Sequence, residues 1–219
     1  EKENQFGGHA NTIKVAYNPN KEIPIDIGFM VFNKQTYPNL INFFLENKIE
    51  IEKSDMSFSV TVENSGLEYC GKGLGGIFSN KKNLFNPKFL KMFFEILSFY
   101  KNCEKIEIKK ISSTTLGEYL TEIKISEYFI NYHIIPMVSA IWSMPPYEAK
   151  QMPLSFFLSF FKNHGLFKIK DRPQWFTVTN RSKTYVDKII GKVSGEHFKN
   201  YNINKITRND LGAKIFYGE

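Results

Sequence analysis

Between Phe85 and Asn163 the large apolar side chains recur at intervals of three and four residues, while strand-type alternation is confined to the stretches on either side. That layout predicts mixed strand and helix around an aromatic-rich centre. The chain holds 21 Phe in 219 residues, and the central block is densest in them. Phe at helical spacing forms either core or the wall of an apolar pocket. A chain of this length can bury roughly 70% of the surface its unfolded form exposes, so its core needs no disulfide or metal.

Local signals divide the chain further. Ile13, Val15 and Tyr17 alternate, a turn follows at "YNPNKE", and "IPIDIGFMVF" continues as strand material to residue 32. Tyr37, Leu40, Ile41, Phe44 and Leu45 form one helical stripe, with Pro38 tolerated in the first turn. Met56, Phe58, Val60 and Val62 alternate as a half-buried strand, and Gly66 turns it into "LEYCG". Asn86 and Pro87 open a helix over residues 87–101 whose expected apolar face is Phe89, Leu90, Phe93, Phe94, Leu97 and Tyr100. Further helices are expected from Thr115, from Ser126 with a kink at Pro136, over "PLSFFLSFFKNHG" up to Gly165, and near residues 183–191. Two short strands, 201–208 and 213–217, close the sequence.

Charge and cysteine usage exclude several classes of function. The formal net charge is +7, but it is carried almost wholly by scattered Lys, with Arg only at 172, 181 and 208. Specific nucleic-acid faces favour the planar Arg fork, so these lysines read as solvated surface and no nucleic-acid partner is expected. Cys70 and Cys103 fit no metal spacing and no disulfide framework; reduced thiols in a cytoplasmic protein are the default. Apolar runs such as 134–142 and 156–161 fall short of the ~20 residues a bilayer demands, which excludes a transmembrane span and leaves peripheral membrane contact open. No signal-peptide pattern opens the chain. Starting at Glu1 and meeting Gly7-Gly8 at once, it reads as entered partway through a motif. Ser-His-Asp order, metal-ligand clusters and Walker loops are absent from the sequence, so hydrolase and metal chemistry have no support.

Glu1, Gly7 and Gly8 form the one opening constellation with a chemical reading. A carboxylate at a strand end can accept two ribose hydroxyls, and paired glycines let backbone approach a pyrophosphate where a side chain would clash. A glycine doublet can equally be an ordinary turn.

Set beside the rest of the chain, the constellation acquires a context. "EKENQFGGHANT", "DIGFMVFNKQTYPNL", "DMSFSV", "GLEY", "IIPMVSAIWSMPP", "FFKNHGL" and "RPQW" resemble, in order and spacing, the FAD-dependent oxidoreductases of the flavin-containing amine oxidase superfamily, and within it the bacterial NAD/FAD-binding, amine-oxidase-like group. The resemblance implies an α/β protein, α+β within this stretch. It would be a partial FAD/NAD(P)-binding Rossmann-like domain split between residues 1–54 and 176–219, with a helix-rich substrate domain inserted at 55–175. It also implies a G-x-G-x-x-G loop about thirty residues before Gly7 and a C-terminal half closing the FAD site, both outside this sequence.

By the same resemblance, Glu1 holds the adenosine ribose, and Gly7, Gly8 and His9 lie beside the cofactor. Gly28, Phe29 and Met30 are similar to backbone passing the flavin, and Ile206 to the apolar position whose main chain meets adenine. His9 stands where Arg is usual. Asn180 and Arg181 stand where family members tend to carry Gly-Gly before an S-x-x-Y-V segment, which puts that close approach in doubt.

Trp142, His164 and Trp175 are the candidates for a substrate pocket. The two Trp can equally be packing anchors, and His164 can equally serve the C-terminal end of its helix. His133, in an apolar helix, is expected to be a satisfied core residue, and His9 can be simply exposed. The reading is an FAD-dependent oxidoreductase that takes a hydride from a C–N or C–C bond of a small apolar substrate, with no identifiable catalytic base. The alternative is a non-enzymatic binding module whose aromatic cavity holds a lipid or a partner helix.

Overall fold

The computed structural model describes residues 1–111 and 113–218. The chain forms two compact units, one made of Glu1–Asp55 and the chain from Gln174 onward, the other of Met56–Pro173.

The first unit begins with β1 (Thr12–Asn18) and β2 (Lys21–Asp26), an antiparallel hairpin whose register pairs Thr12 with Asp26. The expected continuous strand to residue 32 does not form. The chain leaves β2 after Asp26 because Gly28 passes directly over the His9 carbonyl, and it resumes as β3 (Phe32–Asn33). Pro38 occupies the first turn of α1 (Pro38–Glu46), a helix that buries Phe44 and leaves Leu45 exposed. β4 (Ile51–Ser54) follows.

The second unit opens with the hairpin of β5 (Ser59–Val62) and β6 (Leu67–Cys70), then a short α2 (Gly73–Ile77) and a 3-10 turn over Lys81–Phe85. α3 (Pro87–Lys105) starts as its sequence predicts, with the Asn86 side chain accepting from Lys88 N and Phe89 N and Pro87 in the first turn. Its buried face differs from the expected one. Phe89, Met92, Ile96, Phe99, Tyr100 and Cys103 point inward, whereas Phe94 lies on the solvent side. α4 (Leu116–Glu122) begins on a capping box in which Thr115 and Glu118 satisfy each other's backbone N–H groups. Ser126 caps α5 (Glu127–Phe129) and is itself held by the Glu95 carboxylate.

A π-helical turn over residues 130–134 leads into α6 (Ile135–Trp142), where a kink at Pro136 was expected. Proline has no N–H for the carbonyl four residues back, and that orphan, Tyr132 O, is filled by the Tyr69 hydroxyl at 2.7 Å. α7 (Pro146–Gln151) and α8 (Leu154–Asn163) complete the unit, with Gly165 at φ +64° turning the chain out of α8. Phe89, Phe129, Phe157 and Phe161 are fully buried at its centre. Each fully buried Phe contributes about 1.5–3 kcal/mol through removal from water. The aromatic centre is therefore close-packed core and not the wall of an open cavity.

Back in the first unit, β7 (Trp175–Val178) enters between β3 and β4 to make a three-stranded sheet, followed by α9 (Ser182–Ile190) and the hairpin of β8 (Ile203–Asn209) and β9 (Gly212–Tyr217). Every strand pair among the described residues is antiparallel. The parallel pairing of a Rossmann-like sheet is not among them. No helix of the described residues is long and apolar enough to cross a membrane.

Candidate functional site

Two glycine-bearing segments, expected to flank the cofactor, interlock through their backbones in the first unit. Ala10 N donates to Gly7 O at 2.9 Å, closing a turn in which Gly7 has φ +123° and Gly8 φ +54°. A Cβ on Gly7 would stand 2.6 Å from Ala10 O and 3.1 Å from a Val186 methyl on α9, so only glycine lets this turn reach the helix. A Cβ on Gly28 would stand 2.1 Å from the His9 carbonyl oxygen, which accepts from Phe29 N at 2.7 Å. Gly8, by contrast, has nothing within 4 Å of where its Cβ would point. Thus Gly7, Gly8, His9, Gly28 and Phe29 form one cluster, with the His9 ring exposed and Met30 held by its carbonyl, which accepts from Thr177 Oγ1.

The residue that locks this cluster to α9 is Asp26, which sequence reading missed. Its buried carboxylate accepts from Thr12 Oγ1 at 2.6 Å and from Ser182 N at 3.0 and 3.2 Å. The Ser182 hydroxyl stands 3.2 Å from both Asp26 Oδ2 and Phe29 O, and Lys183 N donates to Thr12 Oγ1. Asp26 therefore occupies the positive end of the α9 dipole. No sequence signal marked it, since alternation puts Asp26 on the face opposite Ile23 and Ile25, which would be read as the solvent side. Asn180 and Arg181, just before α9, adopt φ +61° and +78°. These two positions thus combine left-handed backbone with ordinary side chains, and Arg181 Nε donates to Pro24 O.

Glu1 lies in a second neighbourhood of the same unit. Its carbonyl accepts from Tyr201 N at 3.0 Å, and Glu3 O accepts from Asn200 N. Glu3 N donates to Glu1 Oε1, which holds the Glu1 carboxyl below the usual carboxylate range. Beside it is a depression of about 360 Å³ lined by Asn200, Tyr201, Asn202, Tyr217 and Gly218, in which the Tyr201 and Tyr217 rings meet edge to face at 4.7 Å. Ile206 lies on the exposed β8–β9 hairpin, paired with Ile215.

Of the expected pocket residues, Trp142 and His164 both pack on Phe160, and His164 Nδ1 stands 2.9 Å from Phe160 O at the end of α8. Trp175 belongs to the first unit, on β7 opposite Asn33 and Ser54. A second depression, about 580 Å³, is lined by α4 and α7 residues including Glu118, Glu122 and Lys150, and by no aromatic side chain. His133 is buried between two phenols. The Tyr69 hydroxyl spends its proton on Tyr132 O, so its oxygen receives His133 Nδ1–H at 3.0 Å, and Tyr100 donates to Nε2 at 2.9 Å. Burial pushes His133 down to about 3 and raises both phenols, so the imidazole is neutral. It is a satisfied core residue. Among the described residues no group of His, Cys, Asp and Glu could hold a metal ion.

No protein-family model and no curated protein matches the chain. Among solved structures its fold is similar to that of a double mutant of putrescine oxidase from a structure-based redesign of cofactor binding. The TM-score is 0.58 and the sequence identity 14%, over 99% of this chain and 48% of that one. The chain thus spans about half the length of putrescine oxidase and shares its mixed helix and strand fold.

Proposed function

We propose that the chain belongs to an FAD-dependent oxidoreductase of the amine-oxidase kind, which oxidises a C–N or C–C bond of a small apolar substrate. The observation that supports this reading is the main-chain bond from Tyr201 N to Glu1 O, beside a depression lined by Asn200, Tyr201, Asn202, Tyr217 and Gly218, where the Glu1 carboxylate would meet a ribose. The likeness to putrescine oxidase supports it at the level of fold. In this reading the strand-bearing unit, residues 1–55 and from 174 onward, would bind the cofactor, and the helical unit, residues 56–173, would face the substrate.

The residues fit part of FAD. Glu1 would accept ribose hydroxyls, the open side of Gly8 admits close approach of a ligand to the backbone, and the Phe29–Met30 main chain would border the ring system. They do not supply a pyrophosphate cradle at α9, because the Asp26 carboxylate already fills that helix start and would repel phosphate. When bound, flavin supplies the hydride acceptor, and the chain's own residues position the substrate and exclude water.

The test is the flavin content of the whole gene product. A yellow protein is expected, with Glu1→Gln lowering FAD affinity about tenfold. These 219 residues alone are expected to bind FAD poorly, since the start of α9 is taken by Asp26 and offers phosphate no free N–H groups. A colourless product that takes up no added FAD overturns the reading.

A further inference from the structure

We propose that the helical unit docks on an anionic lipid bilayer through the stretch from Lys72 to Phe94. Between Glu68 and Glu95 the chain has five lysines, at 72, 81, 82, 88 and 91, and no acidic residue, and all five are exposed. The same stretch displays four large apolar side chains: Leu74 is 65% exposed, Leu84 47%, Phe85 86% and Phe94 65%. They stand on α2, on the 3-10 turn and on the solvent side of α3.

The display is built. Asn80 Oδ1 accepts from Lys82 N and its Nδ2 donates to Gly66 O, while the buried Asn83 donates to Glu68 O at 2.9 Å. Asn86 closes the turn by capping α3. Polar anchors thus fix the backbone of a turn whose Leu84 and Phe85 point outward. The neighbouring aromatics Phe78 and Phe89 pack on one another. A mobile turn would lose more conformational freedom on insertion; here the backbone that carries Leu84 and Phe85 is held beforehand.

Charge decides the occupant. Lysine is depleted from protein–protein interfaces. A lipid headgroup layer instead attracts lysine, whose alkyl stem lies along the acyl boundary while the ammonium stays at phosphate level, and it receives Phe and Leu between the acyl chains. Glu95, 3.8 Å from Lys91, lowers that lysine's share. The proposal does not rest on the flavin reading.

Co-sedimentation of the full chain with vesicles tests it. Binding is expected to mixed phosphatidylglycerol–phosphatidylcholine vesicles, weakening with added salt, and not to pure phosphatidylcholine. Each lysine near such a surface is worth about fivefold, so Lys81→Gln with Lys82→Gln should weaken binding about 25-fold. Phe85→Ser should weaken it about tenfold and leave the salt dependence unchanged. All three positions face solvent, and far-UV circular dichroism checks that the variants keep their fold. Equal binding to both vesicle types, or variants that bind like the parent, overturns the proposal. So does concentration-dependent self-association abolished by Phe85→Ser, which would assign the patch to a second copy of the chain.

Discussion

Among the described residues, the helical unit gathers 23 buried ones into one apolar cluster, whereas the buried cluster of the strand-bearing unit is Phe32, Phe44 and Val178. The first arrangement draws its stability from area and volume, spread over many contacts that individually count for little. The second depends on a few contacts in which a single atom decides the geometry: Gly28 over the His9 carbonyl, Gly7 against Val186, and the Asp26 carboxylate on Ser182 N. Substitutions should therefore act by different rules in the two units. In the helical unit the cost should follow the volume removed; in the strand-bearing unit it should follow whether one added atom has room.

The largest effect is expected at the centre of the helical unit. Phe157→Ala removes a fully buried ring whose centre lies 4.2 Å from that of Phe161 and should lower the unfolding free energy by about 3–5 kcal/mol in a urea titration. Ile206→Ala, on the exposed hairpin, should change it by no more than about 0.5 kcal/mol. Comparable losses at the two positions would erase the contrast between the units.

Acid should act on the helical unit next. His133 binds its proton near pH 6.5 when unfolded and at about 3 when folded, so between those values the unfolded chain holds more protons and stability falls as the pH falls. The groups facing it are Phe58 from the chain before β5, Tyr69 from β6, Tyr100 from α3 and Phe129 from α5; none of them carries a negative charge, so none offsets an imidazolium. The loss should reach at most about 5 kcal/mol and should be absent above pH 6.5. His133→Phe should flatten this part of the pH profile, measured by urea unfolding at a series of pH values. A His133→Phe profile parallel to the parent's would show that carboxylates alone set the slope.

In the strand-bearing unit the sharper comparison is between two glycines. Gly28→Ala places a methyl 2.1 Å from a backbone oxygen that cannot move without breaking the Phe29 hydrogen bond, and should cost about 2–4 kcal/mol. Gly8→Ala meets open space and carries only the penalty of a positive φ, about 1 kcal/mol. Amide exchange at Phe29 should rise strongly in the first variant and little in the second. Equal protection in both would mean that the interlock tolerates a side chain.

These contrasts also explain what could be read from sequence. The helix starts at Asn86, Thr115 and Ser126 were legible because a cap acts on N–H groups two or three residues away. The β1–β2 and β5–β6 hairpins were legible from alternation around a turn. The sheet β3–β7–β4 was not, because two- to four-residue strands pair across more than 120 residues and leave no local period. Asp26 went unread for the same reason: its partner Ser182 is 156 residues away. The face of α3 was read about one residue out of phase, since Phe at both 93 and 94 offers two stripes and only the packing of Met92 and Ile96 selects between them. Among the cofactor candidates, the glycine cluster was foreseeable from residue type, while the depression beside Glu1 depends on Tyr201 and Tyr217, which no opening motif announces.

The smallest effect is expected at Arg181, where two terms oppose each other. At φ +78° and ψ 168° its backbone lies in a region open mainly to glycine, a strain of about 1–3 kcal/mol. Its side chain offsets part of this through the 3.2 Å bond to Pro24 O, while the 3.9 Å approach to Glu52 is too long and too exposed to add much. Arg181→Gly removes both the strain and the bond and frees the unfolded chain, so it should stabilise by no more than about 1 kcal/mol. Arg181→Ala loses the bond and keeps the strain, so it should destabilise by about 1 kcal/mol. Thermal unfolding should therefore rank glycine above arginine and arginine above alanine. An alanine variant as stable as the glycine one would show that the backbone relaxes at this position, and that the strand-bearing unit is less sensitive to single atoms than the interlock at Gly28 implies.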